Sequence, residues 1–470
     1  MAEVTFFRQQ AARTLADTRL QQVLSAATGR FAAARRNAIA DVPDWDNLRE
    51  YACQVKAHTL SKLDRYLVEL EARVVEQGGK VFWAPDAAAA SSYIIGVATQ
   101  HNAALVVKSK SMTTEEIELT EAMARVGLEA VETDLGEFII QLAGEHPYHI
   151  IAPAVHKTRQ EVYALFERHL GGAGGDDIPA LTRTARRALR EKFAGAQVGI
   201  TGANFAIAET GTICVVENEG NARLCAALPP VHMVVMGIEK VIPRWDDLAV
   251  FLRLLPRAAT GQKLTSYVSL FSGLRRAGET DGPQEFHLVL LDNGRTRILA
   301  DQRTRPTLAC IRCGACLNVC PVYGKVGGHS YGSVYSGPIG AVLTPQLREE
   351  ARSAELPFAS SLCGACGDVC PVKIPLPELL LELRARLTRQ PARYTSARHK
   401  RFWLGLWAAA MKTQWSYRLA GALARWLLRP RARDGWLDYL PGPLAAWTNT
   451  RAFPAPAAKP FRVLWKELEK

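Results

Sequence analysis

Two short stretches hold seven of the ten cysteines and constrain this chain more than any other feature. They are CIRCGACLNVCP, residues 310–321, and SSLCGACGDVCP, residues 360–371. Cys310, Cys313, Cys316 and Cys320 follow the spacing C-x2-C-x2-C-x3-C-P. In that spacing three thiolates wrap one iron–sulfur cubane, and the fourth, set before proline, reaches a second cluster. The second stretch repeats the pattern with Cys363, Cys366 and Cys370 but opens on Ser360. The crossover assigns Cys310, Cys313, Cys316 and Cys370 to one cluster, and Cys320, Cys363 and Cys366 to the other. The fourth position of the second cluster aligns with Ser360. Zinc takes four tetrahedral ligands, usually from two C-x-x-C pairs, and fits seven thiols in this doubled pattern poorly.

The expected cofactors are therefore two [4Fe-4S] clusters, the second incomplete in cysteine. Three states are open to it: Ser360 ligates iron as an alkoxide, an outside ligand fills the corner, or the fourth iron is absent and the cluster is [3Fe-4S]. A serine hydroxyl is harder and less acidic than a thiol, so that corner is the more labile one. Interleaved clusters sit close enough for electrons to hop, which reads directly as one-electron relay. The sharper alternative is an open iron corner acting as a Lewis acid on a hydroxyacid.

Disulfide-stapled secreted domains spread their cysteines and follow an export signal. The N-terminus, MAEVTFFRQQ, lacks the apolar core of such a signal. Clustered cysteines without it point to a metal site in a reducing cytoplasm. FWLGLWAAAM, residues 402–411, is the longest apolar run and falls well short of the roughly 20 residues that cross a bilayer. The formal charge of +12 is uneven: residues 391–470 carry fifteen Lys and Arg against four Asp and Glu, and seven of the ten tryptophans. This tail reads as a docking surface for an acidic partner, or as a peripheral contact with anionic lipid that would suit delivery to a quinone. Nothing upstream supports nucleic acid.

Four regions are expected. Residues 1–76 are helical, ending at Gly78-Gly79. Residues 77–299 alternate β-rich runs (VFWA, ALVVK, AVET, HIIA, AQVGI, TICVVE, HMVVMG, LTSYVSLF, FHLVLLD) with amphipathic segments, the pattern of a parallel-leaning α/β sheet covered on both faces. Residues 300–390 hold the cysteines and end in a helix whose first turn takes Pro375 and Pro377. Residues 391–470 form the basic, Trp-rich tail. No G-x-G-x-x-G follows a strand and no Walker A sequence occurs.

Other candidates are less specific. The run GITGANFAIAETGT offers Gly199, Gly202, Asn204, Thr210, Gly211 and Glu209. The last is a catalytic candidate, or else an ordinary carboxylate accepting backbone N–H groups at a turn. Lys108, Lys110, Glu132, Asp134, His149 and His156 end or follow strands and would line an organic-acid pocket, or serve as caps and solvated charges. His329, Ser330 and Tyr331 lie between the cysteine stretches, placed to hydrogen-bond cluster sulfur or simply to close a loop. Cys53, Cys214 and Cys225 read as small core residues.

The segment CIRCGACLNVCPVYGKVGGHSYGSVYSGPIGAVLTP with SSLCGACGDVCPVKIPL resembles the iron–sulfur subunit family of L-lactate utilization systems, lactate utilization protein B. KSKSMTTEEIEL, ETDLGEFIIQLAGE, HIIAPAVHK and VGITGANFAIAETGTICVVENEGNARL resemble that family's other domain, and the match runs over about residues 50 to 390. The resemblance implies a sugar-phosphate isomerase and CoA-transferase-like α/β fold beside an α-helical ferredoxin module. It implies companions, lactate utilization proteins A and C, and an electron-carrying role in oxidising L-lactate to pyruvate. It also implies that a three-cysteine second stretch is a standing feature of the family. An enzyme processing a hydroxyacid or acyl group through the α/β domain is the alternative from another class.

Overall fold

The structure is a computed structural model, described here over residues 7–348, 351–389, 397–448 and 451–469. The first six residues and the expected boundary at 390/391 lie outside the described residues. The chain divides into two compact units between Leu387 and Thr388.

Four helices open the first unit: α1 (Phe7–Ala16), α2 (Thr18–Ala40), α3 (Trp45–Ser61) and α4 (Leu63–Glu76). In α4, Leu63, Leu67, Leu70 and Val74 fall at helical spacing and are buried. Gly78, at φ +84°, then turns the chain into the first strand.

The strands are β1 (Lys80–Ala84), β2 (Leu105–Lys108), β3 (Glu129–Glu132), β4 (Val198–Thr201), β5 (Phe205–Ile207), β6 (Thr212–Glu217), β7 (Val231–Gly237), β8 (Val241–Ile242), β9 (Tyr267–Phe271) and β10 (Glu285–Leu291). Six of them form an all-parallel sheet in the order β1-β10-β7-β4-β2-β3. Apolar cores lie on both faces, with Val106 in one and its neighbour Val107 in another, as pleat alternation requires. Double coverage explains why β4 and β7 are buried at every position. The cores are closed by helices such as Ala87–Gln100 and Ile178–Gly195.

Two expectations need correction. TICVVE and LTSYVSLF do not extend the parallel sheet. They form β6 and β9 of a second, mixed sheet in the order β8-β5-β6-β9, where β6 runs antiparallel to both neighbours. HIIA, residues 149–152, is not a strand. The His149 ring takes the N–H groups of Ile151 and Ala152, at 3.0 and 3.3 Å, and Lys110 donates to the Ile150 carbonyl. Side chains thus occupy the backbone groups that a sheet would have used.

The cysteine segment is built from short helical turns and ends in the helix Leu376–Arg389, which buries Leu379, Leu380 and Leu383. Pro375 precedes that helix and Pro377 lies in its first turn. The N-terminal helices clamp the segment rather than standing apart. Arg35 donates to the Val369 carbonyl at 3.1 Å, and Arg49 to those of Cys370 and Asp368 at 3.0 and 2.8 Å.

The second unit contains helices Ala397–Lys412, Gln414–Leu428 and Phe461–Leu468, and a two-residue antiparallel pairing of β11 (Trp436–Leu437) with β12 (Phe453–Pro454). The helix Gln414–Leu428 buries no residue, and Trp407, Trp415, Trp426 and Phe461 are exposed. Among the described residues, no helix is long and apolar enough to cross a membrane.

Candidate metal centre

The two cysteine stretches share one local backbone. Arg312 and Leu362, two residues after Cys310 and Ser360, both take left-handed φ values of +60° and +56°. Gly314 and Gly364 follow at +73° and +89°, and each starts a four-residue helix, Ala315–Asn318 or Ala365–Asp368. The side chains at the opening positions behave alike. The Arg312 N–H donates to Cys310 Sγ at 3.4 Å, and the Leu362 N–H donates to Ser360 Oγ at 3.1 Å. The last cysteines also correspond: Cys320 Sγ accepts from Tyr323 N at 3.4 Å and Cys370 Sγ from Ile374 N at 3.3 Å.

Folding brings the thiols into two groups. Cys310, Cys313, Cys316 and Cys370 line one small cavity whose remaining wall is largely apolar, including Ile339, Val372, Ile374 and Leu376. Burial pushes the Cys313 thiol up, and the charges of Cys370 and Cys310 add to that. The Cys316 thiol is pushed up by burial and then by Cys310, Cys313 and Cys370. Cys320, Cys363 and Cys366 form the other group. Burial, then Cys320 and Cys363, lift the Cys366 thiol to about 11. Cys363 is exposed, and the Ala365 N–H and the Ser361 hydroxyl hold its thiol below the ordinary range. None of the ten cysteines is in a disulfide. Four thiols gathered in an apolar cavity fit a metal centre, which would compensate their buried thiolate forms.

The surroundings of the groups differ in charge. Lys56, Lys240 and Arg312 are each buried and feel Cys310, and buried Arg35 lies near Cys313 and Cys370. Arg312 donates to Glu239 at 3.1 Å and stacks on Tyr335 at 4.7 Å. Glu239 also accepts from Arg295 at 2.6 Å, and Arg295 from its other side bonds Glu116 at 2.7 Å. Burial acts to raise the Glu239 carboxyl, but Arg295, Arg312 and Lys240 outweigh it and hold it at about 2. Burial lowers Lys240 to about 7. This network fixes the first cysteine loop to both sheets. Beside the second group, the charge that Cys363 feels is the carboxylate of Asp368.

The remaining candidates scatter. Glu209 is exposed and accepts the Trp245 N–H at 2.8 Å at the start of the helix Trp245–Ala259. Lys108 and Glu132 are buried against each other at 2.5 Å, and Glu115 lies 2.9 Å from the same ammonium. His149 donates from Nε2 to Asn318 Oδ1 at 3.1 Å, since its Nδ1 is the acceptor described above, and burial holds the ring neutral, down to about 4. His156 pairs with Glu145 at 2.7 Å. Lys110 and Asp134, with Gly202 and Asn204, line a separate crevice of about 330 Å³. Gly199 is required by packing, because a Cβ there would lie 1.8 Å from the Cys225 carbonyl oxygen. His329 bonds the His146 carbonyl at 2.7 Å and Ser330 that of Val326 at 2.5 Å. The glycines before them admit Tyr148, whose carbonyl oxygen would lie 1.7 Å from a Cβ at Gly328. Tyr331 differs: its hydroxyl is buried without a partner, and it feels Cys320 and Cys316 from the two groups. Cys214 and Cys225 are fully buried, and Cys53 is half-buried.

Sequence reasoning missed Arg35, Lys56, Lys240 and Arg312. Arg312 had a signal in its place inside C-I-R-C; the others lie far away in sequence and carry none.

Comparison with known proteins bears on both parts of the first unit. Residues 67–291 match the LUD domain family and residues 307–374 match a 4Fe-4S dicluster domain family. A lactate utilization protein B from Shouchella clausii is 44% identical over 99% of this chain and 97% of its own length. Those of Oceanobacillus iheyensis (45%, over 96% and 94%) and Geobacillus kaustophilus (46%, over 93% and 91%) are similarly close. A solved DUF162 family protein from Deinococcus radiodurans is 14% identical, with a TM-score of 0.29, and the match covers 49% of this chain and 98% of that one.

Proposed function

The chain belongs to the lactate utilization protein B family, and from that premise we propose that it is the iron–sulfur electron-transfer subunit of an L-lactate-oxidising system. The observation that carries this reading is the gathering of seven thiols into two adjoining groups that exchange their last members, Cys320 and Cys370. When bound, two clusters supply one-electron relay. The chain's part is to hold and bias them. Cys310, Cys313, Cys316 and Cys370 hold the first in an apolar cavity beside four buried cations. Cys320, Cys363 and Cys366 hold the second nearer to solvent.

Ser360 Oγ would supply the fourth ligand of the second group. Its support is the shared backbone: Ser360 accepts the N–H two residues on, as Cys310 does. Tyr331 feels a cysteine of each group and its hydroxyl has no partner among the described residues, so it would donate a hydrogen bond to sulfur there.

Electrons come from a companion subunit where lactate is oxidised, the companions being lactate utilization proteins A and C. They leave to an acceptor reached through the basic, Trp-rich second unit, which docks an acidic partner. A quinone at an anionic membrane surface is the other acceptor that this chemistry suits.

Glu209 has no catalytic role in this reading, being engaged at a helix start. The test is lactate-dependent reduction of the assembled system, followed optically without oxygen. Cys313→Ser and Cys366→Ser should each abolish it, and Glu209→Gln should leave it within about twofold, the size of a surface change. The reverse pattern would place the chemistry in the α/β domain.

A further inference from the structure

The parallel sheet has one place where its winding reverses. From β2 the chain passes outward to β3, and from β4, the neighbour of β2 on the other side, it passes inward to β7. Connections that diverge from adjacent strands leave a gap beyond their carboxyl ends, where ligands of open α/β sheets sit. The crevice of about 330 Å³ lies there: Ser109, Lys110 and Ser111 follow β2, and Gly202, Ala203 and Asn204 follow β4.

The polar groups in its wall divide by sign. The carboxylates are engaged with backbone N–H groups. Asp134 accepts from Gly136 and Glu137, Glu217 from Ala222 and Arg223, and Glu219 from Leu135. The donors are not all engaged. Arg312 is 7% exposed; its guanidinium holds Glu239 through Nη2 and also bonds Cys310, and its Nη1 has no partner among the described residues. The Ser109 hydroxyl is 2% exposed and has no partner among the described residues. Lys240 is 8% exposed and makes no ion pair or hydrogen bond among the described residues. Buried donors without acceptors are costly and rare, and two on one cavity, Arg312 Nη1 and Ser109 Oγ, with the Lys240 ammonium beside them, indicate a missing acceptor. Phe31, Ile151 and Val216 supply apolar wall beside them.

We propose that this crevice binds a small aliphatic carboxylate of the 2-hydroxy or 2-oxo class. Arg312 and Lys240 hold the carboxylate, Ser109 holds the oxygen on the adjacent carbon, and the short carbon chain lies on the apolar wall. The choice of acid rests on the lactate reading above; the anion site does not. Arg312 stands between Cys310 and Cys313, and its own N–H bonds Cys310 Sγ. Lys240 also feels Cys310, so occupancy reaches the first cysteine loop through both cations, and the acid would act on the potential of that centre without being transformed here.

The experiment is a binding titration of the full chain, purified without oxygen, by saturation-transfer NMR and calorimetry. The probes are L-lactate, pyruvate, acetate and inorganic phosphate, against wild type, Lys240→Met and Ala203→Leu. Lys240→Met removes one charged contact, and Ala203→Leu fills the crevice without touching a charge. Lactate or pyruvate should bind saturably, with acetate weaker. Each variant should weaken binding about tenfold or more, Lys240→Met as loss of a charged hydrogen bond does and Ala203→Leu by filling the crevice, with iron content unchanged in Ala203→Leu. Binding should also shift the EPR signal of the reduced protein. No saturable binding of either acid, wild-type affinity in both variants, or equal competition by phosphate would overturn the proposal. The relay reading fails separately, through loss of lactate-dependent reduction in a protein that still binds the acid.

Discussion

The two cysteine stretches share a backbone and differ in surroundings. The first supplies three of the four thiols in an apolar cavity and is fastened to the sheets by Arg312 and Glu239, while Arg35 and Arg49 tie the end of the second stretch, with its Cys370, to the leading helices. The second offers three thiols and a hydroxyl, with Cys363 exposed. A local motif thus sets ligand geometry, while distant residues set charge and solvent access. In the proposed reading the first group would hold its cluster away from solvent among buried cations, and the second would hold its cluster nearer to solvent.

Breaking the thiols should give the largest contrast. Cys313→Ala should lose about half the iron, one cubane of two, and should also lower the melting temperature sharply, because a buried ligand ties the loop to the core. Cys363→Ala should lose iron from the second group with little effect on melting, being exposed. Iron determination with a melting curve checks both, and equal melting losses would erase the contrast.

Acid should weaken the fold of the first unit. Burial holds the His149 ring at about 4 and the His232 ring at about 3, both below the ordinary histidine value. Between those values and the ordinary one, about 6.5, the unfolded chain binds more protons than the folded one. Stability therefore falls as pH drops through that window. Going from pH 7 to pH 5 should cost about 2 kcal/mol for each ring. His149→Gln, which keeps a donor toward Asn318, should flatten part of this dependence in denaturant titrations; an unchanged slope would count against it.

A smaller effect separates the centres electrically. Arg35→Gln removes a buried cation near Cys313 and Cys370. It should lower the potential of the first centre by about 60 mV, the one-electron equivalent of about 1.4 kcal/mol, and leave the second unmoved. Redox titration followed by EPR would show it, and equal shifts in both would contradict the separation.

Much of this was legible in the sequence, for reasons that differ by region. The cysteine spacing is local, so the correspondence of Ser360 with Cys310 could be read directly. Strand and helix periodicity marked most elements of the α/β region. HIIA failed because the side chains of His149 and Lys110 took its backbone partners, which composition does not reveal. The second sheet was missed because β5 and β8 have three and two residues, too short for a periodic signal. The crevice was half visible: Lys110 and Asp134 were candidates, but Lys240 and Arg312 reach it only through the fold. Lys108 and Glu132 looked equally suited and instead neutralise each other.

The central claim is that Ser360 completes the second centre as Cys310 completes the first. The direct measurement is iron content with EPR on wild type and Ser360→Ala, both purified without oxygen. The account predicts about eight irons in wild type with no signal as isolated, and about seven in the variant with the isotropic signal of an oxidised three-iron cluster. Identical iron and identical spectra in the two proteins would contradict it.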